Sequence, residues 1–462
     1  MVKFGGLLLD IRFVRENAEL VRKSLEKRQE PEKISMLDEL LQKDCEWRRL
    51  LQETELLRAR RNAVSKEINE AKKIGKDINA LLGEAKKIPD TVRANERRQE
   101  ELQKDTRFLL MRLPNILHDS VPFGKDDSEN IVVRSWGKQR KFDFEPRHHG
   151  ELAVAVGGAD FERAVKVAGT GFFYLKGALA LLDLALQRFA VDSLVKKGFV
   201  LVQGPHMLKR EAYEGVVPLD DFEQVMYKID GTDQYLIATA EHYIGTMYKN
   251  DILEESELPL KMAGISPCYR KEIGKHGLDE RGFFRVHQFN KIEQFVFCKP
   301  EDSWKHIEEI RRNSEEFMEK LELPYTTTNI CTGDIGIIVA KKYDINGWSP
   351  REKKYFELMS CSNCTSYQAV RANIKFRKKD GSKEYLHTLN NTAIATTRML
   401  RCIIENYQTK QGTIIVPKAL RPYMLGIKEI AAPSAKPKAK KKAVRSVKHS
   451  ARKAAKKARK EK

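Results

Sequence analysis
The chain contains no run of about 18 apolar residues, the least that a membrane-crossing helix needs, so no membrane contact is expected. It also lacks a GxGxxG or GxxxxGK[ST] loop and shows no alternating βαβ rhythm, which argues against a doubly wound nucleotide-binding fold. Cysteine is sparse. Seven thiols (45, 268, 298, 331, 361, 364 and 402) are scattered and odd in number, and no N-terminal apolar leader accompanies them. A secreted disulfide scaffold is thereby excluded, and free thiols in a reducing compartment are expected. Cys361 and Cys364 make the one CxxC; without a second ligand pair they read as incidental thiols, not a zinc site.

Acid is the minority charge. Lys and Arg number 85 against 65 Asp and Glu, a formal +20 that suits a polyanionic partner. The excess is concentrated at one end: from Pro433 onward there are fourteen Lys or Arg and one acid. Like charges at that density repel, so the tail is expected to be disordered. At 462 residues the rest has room for two or three domains.

Proline and glycine are missing from Ser35 to Lys73, where helix formers dominate and Leu50, Leu57, Val64 and Ala71 recur every seven residues. Gly75, Asp77, Asn79 and Gly83 break that pattern, and Pro89 is expected to open a second helix, striped by Val92, Asn95, Gln99, Leu102, Thr106, Leu109 and Leu113. Two such helices should pack as a solvated antiparallel hairpin whose first arm reaches about 50 Å. Beyond Pro114, small residues and turn signals prevail from Leu152 to Gly171. An amphipathic helix spans Ala178 to Lys197, and a short buried strand closed by Pro205 follows. Trp304 to Leu321 reads as another helix, and Leu386 to Gln408 as a strand passing through Asn390-Asn391-Thr392 into a helix from Ala393. Strands following strands, with helices between only some of them, predict an α+β fold with a mainly antiparallel sheet. The expected division is 1–115 for the helical hairpin, 116–430 for the α+β part and 431–462 for the tail.

The most informative block is Cys268 to Phe297. Arg270 and Glu272 share parity at the end of one β-type run, and Arg285, His287, Phe289, Lys291, Glu293 and Phe295 share parity through the next. Side chains two apart on a strand share a face, so a hairpin is predicted with one arginine-, carboxylate- and aromatic-bearing wall. That wall suits a ligand with a phosphate, a flat base and an amine; a solvated hairpin face is the plainer alternative. Polar groups also gather in Thr239-Ala240-Glu241, in Phe356 to Asn363, and around Asn390-Asn391-Thr392 with Arg398.

With these motifs in this order, residues 1 to 427 resemble the seryl-tRNA synthetases: the helical arm, the helix-strand-proline element ending at Pro205, the Arg-x-Glu hairpin, and the strand-helix element carrying Arg398. The resemblance implies a class II catalytic domain that activates L-serine with ATP to seryl-adenylate and pyrophosphate, then transfers serine to the terminal ribose of serine tRNA. Both steps build charge on oxygen, so catalysis should rest on positioning and electrostatics. By matching, Arg270 grips the α-phosphate and substrate carboxylate, Glu272 meets the adenine amine, and Phe289 stacks under the ring beside Val286. Arg285 and Arg398 reach the outer phosphates, and Lys271, Leu358 and Met359 complete the ATP site. Glu357 and Ser360 fall near the phosphates, where Mg²⁺ is implied. Serine recognition falls to Thr239, Ala240, Glu241, Arg270, Glu293, Asn390 and Thr392. Asn391-Thr392, where many bacterial relatives carry Gly-Ser, looks like the eukaryotic cytosolic branch.

The same resemblance implies a homodimer joined along the helix and strand before Pro205, an arm that grips serine tRNA, and a loop from Gly274 to Gly282 that meets its acceptor end. Selenocysteine tRNA is a second expected substrate. A cytoplasmic location is expected, with the tail as an RNA-affinity or nuclear-address segment. A class II synthetase for threonine or proline, and a synthetase-like RNA-binding protein without catalysis, are the competing readings. The long N-terminal hairpin disfavours the first, and the intact Arg270, Glu272, Glu293, Glu357 and Arg398 disfavour the second.

Overall fold
The computed structural model describes residues 10–217, 222–272 and 282–432, the side chain of Glu223 excepted. The tail from Pro433 and nearly all of the Gly274 to Gly282 loop lie outside the described residues.

Two short helices, α1 (Ile11–Glu16) and α2 (Ala18–Arg28), pack at the base of two long ones, α3 (Pro31–Lys73) and α4 (Asn79–Leu110). Helix α3 has 43 residues, so it reaches about 65 Å, longer than expected; it begins before the expected stretch, at Pro31, whose fixed φ suits a first helical position. The second helix also starts earlier than expected, at Asn79, and Pro89 lies inside it. The N–H that proline lacks would have met the Ala85 carbonyl, and Ala85 is only partly buried on this slender rod, so the defect is tolerated. Val64, Ile88 and Val92 form the distal seam with Leu57, Ile68 and Leu81. At the base, Val14, Val21, Leu25, Leu37, Leu40, Leu109 and Leu113 share a core with Tyr367 from far along the chain.

The remaining architecture is an eight-stranded sheet: β1 (Ile131–Trp136), β2 (Val200–Val202), β3 (Leu260–Tyr269), β4 (Gln288–Cys298), β5 (Tyr325–Asn329), β6 (Lys341–Ser349), β7 (Lys354–Thr365) and β8 (His387–Ala395). Its order is β1-β5-β6-β7-β8-β4-β3-β2, antiparallel throughout except for the β2–β3 pair. Helices α5 (Gly177–Lys196), α6 (Ala240–Gly245), α7 (Ser303–Lys320) and α8 (Thr396–Tyr407) cover it. The period-two reading of β4 is correct and explains the layering. Ile292, Val296 and Cys298 enter the main core with α5, α7 and α8, while Phe295 and Phe297 enter a second core with Ala240 and Ile244 of α6.

Three other expectations need correction. The strand before Pro205 is not buried: β2 is the sheet edge, and Val200 and Leu201 are exposed. Asn390-Asn391-Thr392 is no link into a helix. It lies within β8, which stays paired with β4 as far as Ala395 opposite Lys291, and α8 starts at Thr396. Between Leu152 and Gly171, where turns were expected, two short helices occur at His149–Ala155 and Phe161–Ala168; the Asp160 carboxylate caps the second by accepting the Arg163 N–H.

Candidate active site
A cavity of about 290 Å³ opens on the sheet face shared by β4, β7 and β8. At one wall β3 and β4 pair with Cys268 opposite Phe289, and the Arg270 N–H extends the ladder to the His287 carbonyl at 3.0 Å. Arg270 therefore leaves the strand beside Phe289. Its guanidinium carbon lies 5.3 Å from that ring's centroid, and its Nε donates to the Ala238 carbonyl at 3.3 Å. Glu272 follows with φ of 45°, a left-handed conformation uncommon for a residue with a side chain, and its carboxylate lies 3.5 Å from Arg285.

From the far side, Arg398 in the first turn of α8 pairs with Glu357 of β7 at 3.0 Å and lies 5.3 Å from the Phe284 ring centroid. A β-bulge delivers Glu357. Met359 opposes Ile345 but Glu357 opposes Asn346, leaving Leu358 as the extra residue. Plain alternation from Ser362 and Ser360 would place only Leu358 on the cavity; the bulge lets Glu357 line it as well.

The other end is built on α6. Thr239 caps this helix by accepting the Glu241 N–H at 3.2 Å, which fixes Glu241 in the first turn. The Glu241 carboxylate accepts from Gln368 Nε2 at 2.7 Å and Asn390 Nδ2 at 2.9 Å. Thr392 Oγ1 donates to Glu293 at 3.5 Å, and Lys291 Nζ lies 2.5 Å from the same carboxylate.

These environments separate the carboxylates. Desolvation, helped by the nearby Glu293, raises Glu241 to about 7. Glu293 is also raised by desolvation, against the opposing pull of Lys291 and Arg270. Burial opposes ionisation of Glu357 too, but Arg398, Lys342 and Arg270 together outweigh it and hold its pKa below the ordinary value. His242 is driven down to about 3 by burial, so it is neutral and serves α6 structurally, accepting the Ala238 N–H at 3.4 Å. One end of the cavity thus offers carboxylates poised for a cation, and the other offers two guanidinium groups and two aromatic rings.

Of the residues expected at the site, Thr239, Glu241, Arg270, Glu272, Val286, Phe289, Glu293, Glu357, Leu358, Ser360, Asn390, Thr392 and Arg398 line this cavity. Four do not. Ala240 is buried against Gly264, Met359 faces the main core, the Lys271 N–H meets the Val225 carbonyl at 3.0 Å, and Arg285 pairs with Glu272 at 3.5 Å. Phe284, Ile338, Ser362, Ala395 and Thr397 line it without having been expected there, and Lys291, placed by parity on the hairpin wall but given no role, lines it too. Strand parity with Phe289 and Ser360 marks Lys291 and Ser362, but no local signal marks Ile338. Cys361 and Cys364 point into different cores, so they share no ligand.

Two family models match the chain: a seryl-tRNA synthetase N-terminal domain over residues 8–117, and a tRNA synthetase class II core domain (G, H, P, S and T) over residues 226–407. The serine--tRNA ligase of Methanocella arvoryzae is 59% identical over 91% of this chain and 100% of its own length. The chain belongs to the seryl-tRNA synthetase family. Among solved structures, the seryl-tRNA synthetase of Pyrococcus horikoshii complexed with ATP has a TM-score of 0.89 at 46% identity, covering 92% of this chain and 100% of that one. The cytoplasmic serine-tRNA ligase of Naegleria fowleri, in complex with AMP, has 0.83 at 35%, covering 93% and 100%. Archaeal seryl-tRNA synthetases at 46–59% identity thus stand nearer than this eukaryotic one, and the expectation of a eukaryotic branch draws no support. The class II fold and the serine--tRNA ligase activity expected from the motifs are both met.

Proposed function
We propose that the cavity binds ATP and L-serine end to end, with Arg270 at their junction. The observation that carries this reading is the placement of Arg270 between the Glu241 and Glu293 end and the Phe289 and Arg398 end. Glu241 and Glu293 receive the serine ammonium, and Thr392 and Asn390 bond its hydroxyl; a pocket built for that hydroxyl rejects alanine because its own polar groups would be left unpaired. Adenine stacks on Phe289 with its amine toward Glu272, and Arg398 takes the γ-phosphate. The serine carboxylate then attacks the α-phosphate in line. Arg270 neutralises charge on both reacting groups, its planar fork suiting two oxyanions at once. Seryl-adenylate forms, pyrophosphate leaves, and the ribose hydroxyl of tRNA displaces AMP.

Mg²⁺ fits this donor set. Glu357 is kept ionised by its cationic neighbours, Ser360 adds a hydroxyl, and a cation that keeps most of its waters needs one or two carboxylates plus phosphates. When bound it would neutralise phosphate charge.

The proposed division is 1–115, carrying tRNA, and 116–430, carrying the chemistry; the separate family matches over residues 8–117 and 226–407 support two parts. A homodimer is supported by apolar exposure along one side: Leu184 and Val195 on α5, Val200 and Leu201 on β2, and Met207. Serine tRNA, with selenocysteine tRNA as a second substrate, would lie along α3 and α4. Seven free cysteines fit the cytoplasm, and the tail suits RNA affinity or a nuclear address. Steady-state kinetics test the two-ended site. Glu293→Gln should raise the serine KM with little change for ATP, and Arg398→Ala should do the reverse; equal effects of both variants on both substrates would refute it.

A further inference from the structure
Arg28, the last residue of α2, is only 3% exposed and has no carboxylate within ion-pairing distance among the described residues. Its fork is spent on backbone carbonyls: Asn115 at 3.1 and 2.9 Å, Val339 at 2.9 Å, and Ile335 and Gly336 at 3.4 Å each. Burial lowers its pKa to about 10, with Glu30 opposing, so the group stays charged at neutral pH. Burying a cation is costly, and its hydrogen bonds to these carbonyls offset that cost; an apolar side chain of similar volume would leave the carbonyls unpaired. What the fork adds is geometry. It fixes three carbonyls of one turn, 335–339, relative to Asn115.

That turn supplies Ile338 to the active-site cavity. Its backbone is held from the other side too. The Asn115 N–H donates to the Ile337 carbonyl at 2.6 Å, and Asn115 Nδ2 donates to the carbonyls of Ile338 at 3.0 Å and Cys364 at 2.7 Å. Cys364 Sγ in turn lies 3.8 Å from Asn390 Nδ2, which bonds Glu241. Ile338 therefore stands at the Glu241 and Asn390 end of the cavity, while its side chain also packs against the core of the N-terminal helices.

We propose that Ile338 is an apolar wall of the amino-acid subsite and that Arg28 is a positioning residue that holds it, so that the N-terminal helices help set selectivity for serine over threonine. The inference rests on reading that end of the cavity as the serine subsite. Threonine differs from serine by one methyl group, and a methylene-sized difference in a pocket gives only about 10–200-fold discrimination, so a small displacement of one wall suffices to alter the choice.

ATP–pyrophosphate exchange with serine and with threonine tests it, using the full chain carrying Arg28→Gln, Arg28→Lys, Ile338→Ala and the double variant Arg28→Gln/Ile338→Ala. Ile338→Ala should raise the threonine-to-serine ratio of kcat/KM by about tenfold. Arg28→Gln should move the ratio the same way with the ATP KM unchanged, and the double variant should be no worse than Ile338→Ala alone, because both act through one wall. Additive effects, or a lowered Tm with wild-type selectivity, would overturn the role of Arg28. If Arg28→Gln does not fold, Arg28→Lys decides: it keeps the charge and loses the fork, so wild-type selectivity in it would contradict the proposal. Glu241→Gln separates the two levels. If it leaves the serine KM unchanged, the subsite reading fails; if it raises that KM while Ile338→Ala leaves selectivity intact, the present inference alone fails.

Discussion
Glu241 and Glu293 stand in one desolvated end of the cavity, and burial raises the pKa of both, with Lys291 opposing the shift at Glu293. With Glu241 raised to about 7, a neutral solution holds a large share of it protonated, and in the proposed reading that proton must leave before serine's ammonium binds. The sign follows: serine KM should fall as pH rises and level off above about 7, with a rise approaching tenfold per pH unit well below it. Glu241→Gln should raise KM and flatten that limb, as initial rates from about pH 5.5 to about 8.5 would show. In the proposed reading Arg270 bears the largest catalytic burden, because it would face charge that develops in the transition state. Arg270→Ala should cut exchange by at least about a hundredfold while leaving tRNA binding unchanged. Residue identities here were legible, since Phe289, Lys291 and Glu293 share parity and the flanking motifs are family-specific. The raised carboxylate was not, because desolvation depends on which surfaces close over Glu241.

Elements place these groups by close packing, and Gly264 is where the approach is tightest. A Cβ there would sit 2.6 Å from the Ala240 Cβ and 2.7 Å from Ile244 Cδ1, so α6 rests directly on β3, opposite Glu293. Gly264→Ala should lower stability by about 1–3 kcal/mol and also raise serine KM, because Glu241 rides on the displaced helix. A thermal melt with parallel kinetics checks both; an unchanged Tm would show that α6 yields without strain. Strand and helix types were largely readable from periodicity. Boundaries were less so, for identifiable reasons: Pro89 looked like a start because proline usually breaks a helix, and the Leu358 bulge leaves no mark in a sequence whose alternation continues on both sides. The polar Asn390-Asn391-Thr392 run resembled a turn, yet inside the sheet layer Asn391 Nδ2 donates to the Ile310 carbonyl and Ser314 Oγ of α7.

At the scale of the whole molecule, the basic arm divides its arginines between structure and solvent. Arg58, Arg60 and Arg98 bridge the two helices to Glu96, Glu84 and Glu46, and Arg93 pairs with Asp90 within α4. Arg61, Lys66, Lys72, Lys73 and Arg97 are exposed and make no ion pair among the described residues. Replacing these five by glutamine should weaken tRNA binding and shallow its salt dependence by roughly 0.7–0.9 in log–log slope for each phosphate no longer neutralised, without changing serine exchange. A filter-binding titration across salt concentrations reads this directly, and an unchanged slope would move the RNA interface elsewhere. The hairpin and the order of the motifs were legible along the chain; the docking of α2 onto the turn that carries Ile338 joins residues some 300 apart and was not. The central claim is that this cavity activates serine, and amino-acid-dependent ATP–pyrophosphate exchange tests it most directly. Exchange should be strong with serine and much weaker with alanine and threonine; exchange driven by threonine in preference to serine, or none with serine, would contradict the account.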